Sequence, residues 1–246
     1  MSGWRHPSLG SEIDRTRTLT FTFDGEQISA FAGDTIASAL LASGRRVVGR
    51  SFKYHRPRGI YGIGAEEPNA IVDVTLGGMT TPNQRATLVD VADGMQVRSV
   101  NARPSALRDR FGFLDRLQRF LPAGFYYKTF MAGGWMRWEP TIRRMAGLGR
   151  LDPASALSPP DQQINASCEV MVIGAGPAGL AAARAAAHAG RQVWLVDAEK
   201  ELGGSLRWHA GEIDGMAGPE FAAEVAAAVQ AVGGTILTNT MVWGAV

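Results

Sequence analysis

Apolar and polar positions alternate with period two over "LTFTFDGEQISAF", and the alternation breaks once, at Asp24-Gly25. Two strands joined by a tight hairpin follow, because Asp-Gly readily takes the left-handed backbone of a two-residue turn. "GDTIASALLASG" then shifts to a helical pattern, with Asp34 as the expected N-cap and Gly44 as the stop. "AIVDVTL", "ATLVDV" and "MQVRSVN" return to the strand pattern, the last two parted by a turn at Asp93-Gly94. This order describes a small α+β domain over residues 18–101, preceded by a polar flexible arm, 1–17.

The pattern changes over residues 102–166. Leu107, Phe111, Leu114, Leu117 and Leu121 fall at helical spacing, and Pro122 stops or kinks that helix. "GFYYKTFMAGGWMRWEPTIRRMAGLG" is dense in aromatic residues and methionine, so it needs a partner surface. Packing between domains or subunits is the first reading of this helical aromatic connector; a ligand pocket is the second. "LDPASALSPPDQQINA" is a linker by composition.

Residues 167–246 carry the most informative pattern. "VMVI" is a buried-strand run, followed at once by G-x-G-x-x-G at Gly174, Gly176 and Gly179. A strong helix-forming stretch, "LAAARAAAHAG", comes next, then a second strand, "QVWLV", ending at Asp197. Gly174 permits the tight turn, Gly176 lets the backbone approach a pyrophosphate, and Gly179 lets helix and strand pack closely. The helix N-terminus offers N–H donors to the phosphates. Asp197 can accept from the ribose hydroxyls and would repel a 2′-phosphate, which favours NAD or FAD over NADP. FAD and NAD share this fingerprint. "ELGG" adds Gly203-Gly204 at the spacing of two-dinucleotide-binding flavoproteins. After the helix "GPEFAAEVAAAVQAVGG" and the strand "TILTNTMVWGAV", the pattern is the N-terminal half of a Rossmann-type domain. The chain therefore reads as the front part of a longer polypeptide, α+β followed by α/β.

Composition narrows the classes. Of 246 residues, 25 are basic and 23 acidic, a net charge of +2 that gives no reason to expect nucleic acid. The one cysteine, Cys168, can form neither an internal disulfide nor a thiolate metal site. The N-terminus lacks a signal-peptide core, and no stretch reads as a membrane span, so a cytoplasmic protein is expected. Seven basic side chains crowd residues 45–58: Arg45, Arg46, Arg50, Lys53, His55, Arg56 and Arg58. A solvated face or subunit boundary explains them most simply; anion handling is the alternative. His55 has no neighbouring His or Cys, so no metal is expected there.

The order of parts resembles the N-terminal portion of the α subunits of heterotetrameric sarcosine oxidases. "SFKYHRPRGI" and "LPAGFYYKTFM" carry the resemblance, together with "FDGEQISAFAGDTIASALLASG", "EEPNAIV", "NARPS", "WEPTIRRMAGLG" and the stretch from "VIGAGPAGLAAA" to "VDAEKELGGSL". The resemblance implies a complex with β, γ and δ subunits. That complex oxidises the N-methyl group of sarcosine to give glycine and hydrogen peroxide, with formaldehyde or, from tetrahydrofolate, methylenetetrahydrofolate. FAD and FMN are expected in the full complex and NAD, not turning over, in this chain. The chain alone is expected to be inactive, and no catalytic residue is assigned. Carried over, the cofactor-facing positions are Gly174, Ala175, Gly176, Pro177, Ala178 and Gly179, then Asp197, Ala198 and Glu199, then Gly203, Gly204 and Ser205, and Val242 at the end of the third strand. Glu199 stands where the family often has a basic residue.

A sister group, the iron–sulfur amine dehydrogenases of the hydrogen cyanide synthase and opine oxidase type, places a cluster in the first domain. Laid over the C-x4-C-x2-C spacing of such loops, "PRGIYGIGAEEPNAIVDVTL" has Tyr61, Glu66 and Asn69 at the ligand positions, and Gly62 and Gly64 between them. The expectation is a ferredoxin-like β-grasp domain with no 2Fe–2S cluster. A fragment of an iron–sulfur amine dehydrogenase, or a non-catalytic dinucleotide-binding fragment, is the alternative.

Overall fold

The computed structural model describes residues 4–8, 10, 12–120, 133–147, 162–209 and 211–244. Contacts divide the chain into two units, Met1–Pro160 and Asp161–Val246, each with its own apolar core.

In the first unit, β1 (Asp14–Phe23) and β2 (Glu26–Ala32) form the hairpin that the alternation predicts. Asp24 (φ 50°) and Gly25 (φ 84°) both take the left-handed backbone, the twist of a two-residue hairpin turn. The Asp24 carboxylate accepts from the N–H and hydroxyl of Ser99 and from the N–H of Ala106, so this turn also fastens the far end of the domain. β1 begins at Asp14, inside the segment expected as a flexible arm. Farther back, Arg5 pairs through both guanidinium nitrogens with the fully buried Asp34.

Helix α1 (Ile36–Ala42) buries Ile36, Ala37, Ala39 and Leu40. Its N-cap is Thr35, whose hydroxyl accepts from Ser38 N–H, rather than Asp34. Asp34 is taken up by Arg5, Phe31 N–H and the Ser38 hydroxyl. Gly44 follows the helix at φ 82°, the stop expected of it.

A short hairpin, β3 (Gly49–Arg50) with β4 (Pro57–Arg58), carries most of the basic run. Beyond it come β5 (Ile71–Leu76), β6 (Met79–Arg85) and β7 (Gln96–Ser99). The five-stranded sheet has the order β2-β1-β7-β5-β6, with β1 and β7 parallel and the other pairs antiparallel. One mixed sheet around one helix is a β-grasp arrangement. Phe21, Ile28, Ile36, Leu40, Val72 and Val97 form its core. A large apolar side chain buried this fully contributes about 2 kcal/mol.

The predicted apolar helix at Leu107–Leu121 is instead a 3₁₀ stretch over Arg110–Phe120, with no fully buried residue. Polar contacts to the β3–β4 hairpin position it: Arg56 donates to Asp115 and Gln118, and His55 meets Asp109. Leu121 and "PAGFYYKTFM" lie outside the described residues, as do residues 151–161 of the expected linker. Helix α2 (Trp135–Ala146) holds Pro140 and ends at Gly147, φ 73°.

In the second unit, β8 (Val170–Ile173), β9 (Val193–Val196) and β12 (Thr235–Leu237) form a parallel sheet in the order β12-β9-β8. Helices α3 (Pro177–His188) and α4 (Gly218–Ala231) pack on Val172, Val193, Leu195 and Ile236. The order and the right-handed crossovers expected of parallel strands match one mononucleotide-binding half. Between β9 and α4 lies a small hairpin, β10 (Glu212–Ile213) and β11 (Met216–Ala217), turning at Asp214-Gly215. Among the described residues, no helix is long and apolar enough to cross a membrane.

Candidate functional site

The fingerprint turn connects β8 to α3. Gly174 sits at φ 92°, a conformation other residues rarely take. A Cβ on Gly179 would lie 1.8 Å from the Gly174 carbonyl oxygen, so only glycine lets the helix approach the strand here. Gly176 differs from both. Its backbone is extended, and a Cβ there would meet nothing within 4 Å. Gly176 is also the N-cap of α3, with no side chain capping the helix and Pro177 in the first turn. The turn thus opens directly above a helix N-terminus whose first N–H groups lack intrahelical partners.

Two further segments close on this turn. The Asp197 carboxylate accepts from the N–H of Ala175 and from Glu199 N–H at 2.7 Å. Gly203 N–H donates to the Ala175 carbonyl at 2.8 Å, and a Cβ on Gly204 would lie 3.0 Å from Gly176 Cα. The structure therefore brings Gly174, Gly176, Gly179, Asp197, Gly203 and Gly204 together. Ala175 is the exception within the turn: its side chain is buried and its N–H is bound by Asp197, so it supports the cradle instead of facing it. Ala178, Ala198, Glu199 and Ser205 are exposed around it, and Pro177 is half-buried. Val242 is not at the end of the third strand, since β12 stops at Leu237 and Val242 lies in coil beyond it.

The loop after β4 is organised by a residue that spacing does not reveal. Glu67 is fully buried, and its carboxylate accepts four main-chain N–H groups, from Tyr61, Gly62, Asn69 and Ala70, at 2.6–2.9 Å. Burial pushes its pKa up, but the four donors outweigh that and hold it below the ordinary glutamate value. Tyr61 and Asn69, two of the three positions aligned to cluster ligands, thus lend their amides to Glu67; Glu66 is exposed.

The basic run is largely absorbed by structure. Arg45 pairs with Glu26, Arg46 stacks on Trp4, and Arg50 donates to the carbonyls of His55, Ala106 and Leu107. Arg56 and Lys53 both lie against the Tyr54 ring. His55 is buried, 2.6 Å from Asp109 through Nδ1, with Nε2 unpartnered and a backbone φ of 52°. Among the described residues, no group of three His, Cys, Asp or Glu is arranged to hold a metal ion.

Comparison with known proteins agrees with this two-unit reading. Residues 169–241 match the FAD dependent oxidoreductase family, and residues 16–102 match a 2Fe-2S iron-sulfur cluster binding domain. Over 227 residues the chain is 51% identical to the sarcosine oxidase subunit alpha of Rhizobium meliloti, covering 90% of this chain. It is 36% identical over 245 residues to the subunit alpha of Corynebacterium sp. strain U-96, covering 96% of this chain. The chain is related to sarcosine oxidase α subunits. It spans only 23% and 20% of the length of these two relatives, as an N-terminal portion of such a subunit would. A solved L-proline dehydrogenase from P. horikoshii shares the fold, with a TM-score of 0.53 at 18% identity over 92% of this chain and 34% of that one.

These matches correct the cofactor expectations. The first domain matches a 2Fe–2S cluster-binding domain, which overturns the expectation of a β-grasp domain with no 2Fe–2S cluster. The thiolate donors of such a cluster are not found in residues 16–102, which contain no cysteine. The matched family over the Rossmann half is FAD dependent, against the NAD expected there.

Proposed function

We propose that this chain is the N-terminal part of a sarcosine oxidase α subunit and that its second unit binds an adenine dinucleotide. The observation that carries this reading is the contrast between the glycines of the turn. Gly179 is required by the fold itself, whereas a Cβ at Gly176 would meet no protein atom within 4 Å, so the fold alone does not call for glycine there. A pyrophosphate fits at this turn, held by the N–H groups at the start of α3, with Gly203-Gly204 as the opposite wall and Ser205 beside it. Asp197 supplies the acceptor for ribose hydroxyls, and its negative charge disfavours a 2′-phosphate. When bound, the dinucleotide brings its own redox chemistry; the chain holds and orients it.

In the whole assembly we assign oxidative demethylation of sarcosine, with β, γ and δ subunits supplying the remaining sites. This chain by itself is inactive in that reading, since its part is to hold the dinucleotide and the remaining sites belong to the rest of the assembly. The test is titration of the chain with FAD, NAD and NADP, followed by calorimetry. Binding of FAD or NAD at least about tenfold tighter than NADP supports the assignment; equal binding of all three, or none, refutes it.

The match over residues 16–102 favours a second reading, a fragment of an iron–sulfur amine dehydrogenase. Visible iron–sulfur absorbance after anaerobic reconstitution would establish it over the first.

A further inference from the structure

Over Arg110–Phe120 the chain is 3₁₀-helical, so residues three apart lie in line along it. Three rows result. Gly112, Asp115 and Gln118 form the row that meets the β3–β4 hairpin: Asp115 and Gln118 accept from Arg56, and a Cβ on Gly112 would lie 3.8 Å from an Arg50 guanidinium nitrogen. Phe111, Leu114, Leu117 and Phe120 form an apolar row. Its start is taken up by the domain, with the Phe111 ring 5.3 Å from that of His55 and Leu114 half-buried, but Leu117 is 40% and Phe120 79% exposed. Arg110, Phe113, Arg116 and Arg119 form the third row, and all four are exposed.

The charge of the third row is not balanced locally. Among the described residues, the guanidinium groups of Arg110, Arg116 and Arg119 have neither an ion-pair nor a hydrogen-bond partner. The two acidic residues of the stretch are engaged elsewhere, Asp109 by His55 and Asp115 by Arg56. Three unpaired cations therefore stand beside three exposed apolar side chains, Phe113, Leu117 and Phe120.

We propose that these two open rows dock an acidic surface of a partner protein, its carboxylates on the arginines and its apolar side chains on Phe113, Leu117 and Phe120. Arginine and phenylalanine are residues enriched in protein interfaces, and arginine takes a carboxylate with two parallel N–H donors. A membrane suits the stretch less well, because half of the apolar row is already committed to the domain and no continuous apolar face remains. A phosphate backbone would meet the arginines but leave Leu117 and Phe120 without an apolar counterpart. A second copy of the chain would set like charges against each other. Arg56 and His55 also hold the stretch in place before any partner arrives, so docking costs little ordering.

The probe is a blocked helical peptide with leucines along one face and glutamates flanking them, titrated into the isotope-labelled full chain and followed by amide NMR shifts. Two controls replace its glutamates by lysines or its leucines by serines. The expected result is shifts centred on Arg110–Phe120 and binding at least about tenfold tighter than either control. Arg116→Glu combined with Arg119→Glu should lose at least about tenfold in affinity and keep the parent melting temperature, since neither side chain holds the fold. If that variant does not fold, Phe120→Ser carries the test and should weaken the peptide by about tenfold. No binding of the glutamate–leucine peptide overturns the proposal, as does equal binding of either control. Tighter binding to phosphatidylserine vesicles or to a DNA duplex than to the peptide assigns the face to a membrane or a nucleic acid and overturns it as well. Self-association of the chain without peptide, lost in Phe120→Ser, assigns the face to a second copy and also overturns it.

Discussion

Gly179 and Gly174 stand so close that a Cβ on the first would lie 1.8 Å from the carbonyl oxygen of the second. The neighbouring Gly176 has no such constraint, since a Cβ there meets nothing within 4 Å. One turn therefore contains a glycine that the fold needs and a glycine that only a ligand would need. Gly179→Ala should force the helix off the strand and cost about 2–4 kcal/mol, seen as a lower melting temperature with or without dinucleotide. Gly176→Val should melt close to the parent and lose at least about tenfold in dinucleotide affinity. Parent-like binding by Gly176→Val would remove the assignment of the cradle.

Glu67 gathers four amides with one buried carboxylate. Glu67→Gln keeps the size but turns two acceptors into one acceptor and a donor, so at neutral pH it should cost about 2–4 kcal/mol. The pH dependence has a definite sign. The folded pKa is depressed below the ordinary 4.5, so the ionised group stabilises the fold above that value. That contribution is lost as pH falls through the folded pKa. Melting curves of parent and variant should therefore converge on acidification below 4.5; a constant gap across that window would count against the ionised Glu67 as the anchor.

Asp24 does two jobs at one position: it takes a left-handed backbone, and it accepts from Ser99 and Ala106. Asparagine tolerates that backbone but weakens the acceptor, whereas alanine fails at both. Asp24→Asn should cost about 1 kcal/mol and Asp24→Ala about 2–3 kcal/mol by chemical denaturation. Equal losses would show that backbone conformation alone decides.

Arg5 reaches across to Asp34, a carboxylate with no exposed side-chain surface. Arg5→Ala leaves that charge buried with only Phe31 N–H and the Ser38 hydroxyl, a loss of about 2–4 kcal/mol. Adding Asp34→Asn should restore part of it, because the unpaired charge goes with it. Additive losses in the double variant would mean that the two residues act independently.

Local chemistry was readable in the sequence wherever neighbouring residues decide the outcome. Asp24-Gly25, Gly44 and the Gly174–Gly179 turn each act through their own backbone, and each stands where the pattern put it. Asp214-Gly215 gives the same hairpin signal as Asp24-Gly25, but its flanking strands are two residues each, too short for alternation to show. Glu67 was not readable, because its four donors are collected by the fold of the loop and not by any spacing. The same holds for Arg5 with Asp34, separated by 29 residues, which converts an expected loose arm into an anchored one. Helical spacing at Leu107–Leu117 misled for a related reason: polar contacts with Arg56 and His55 hold that stretch, and none of the residues of Arg110–Phe120 is fully buried.

The Asp24 turn also sets an order of events during synthesis. Its hairpin leaves the ribosome early, yet the carboxylate finds Ser99 only 75 residues later, and β1 waits equally long for β7 to fill its other edge. Until then the strand carrying Phe21 and Phe23 has an uncovered apolar side and a bare row of main-chain groups. The newborn chain is most vulnerable to wrong pairing in that interval, so slow translation between Ala32 and Gln96 should raise its dependence on chaperones.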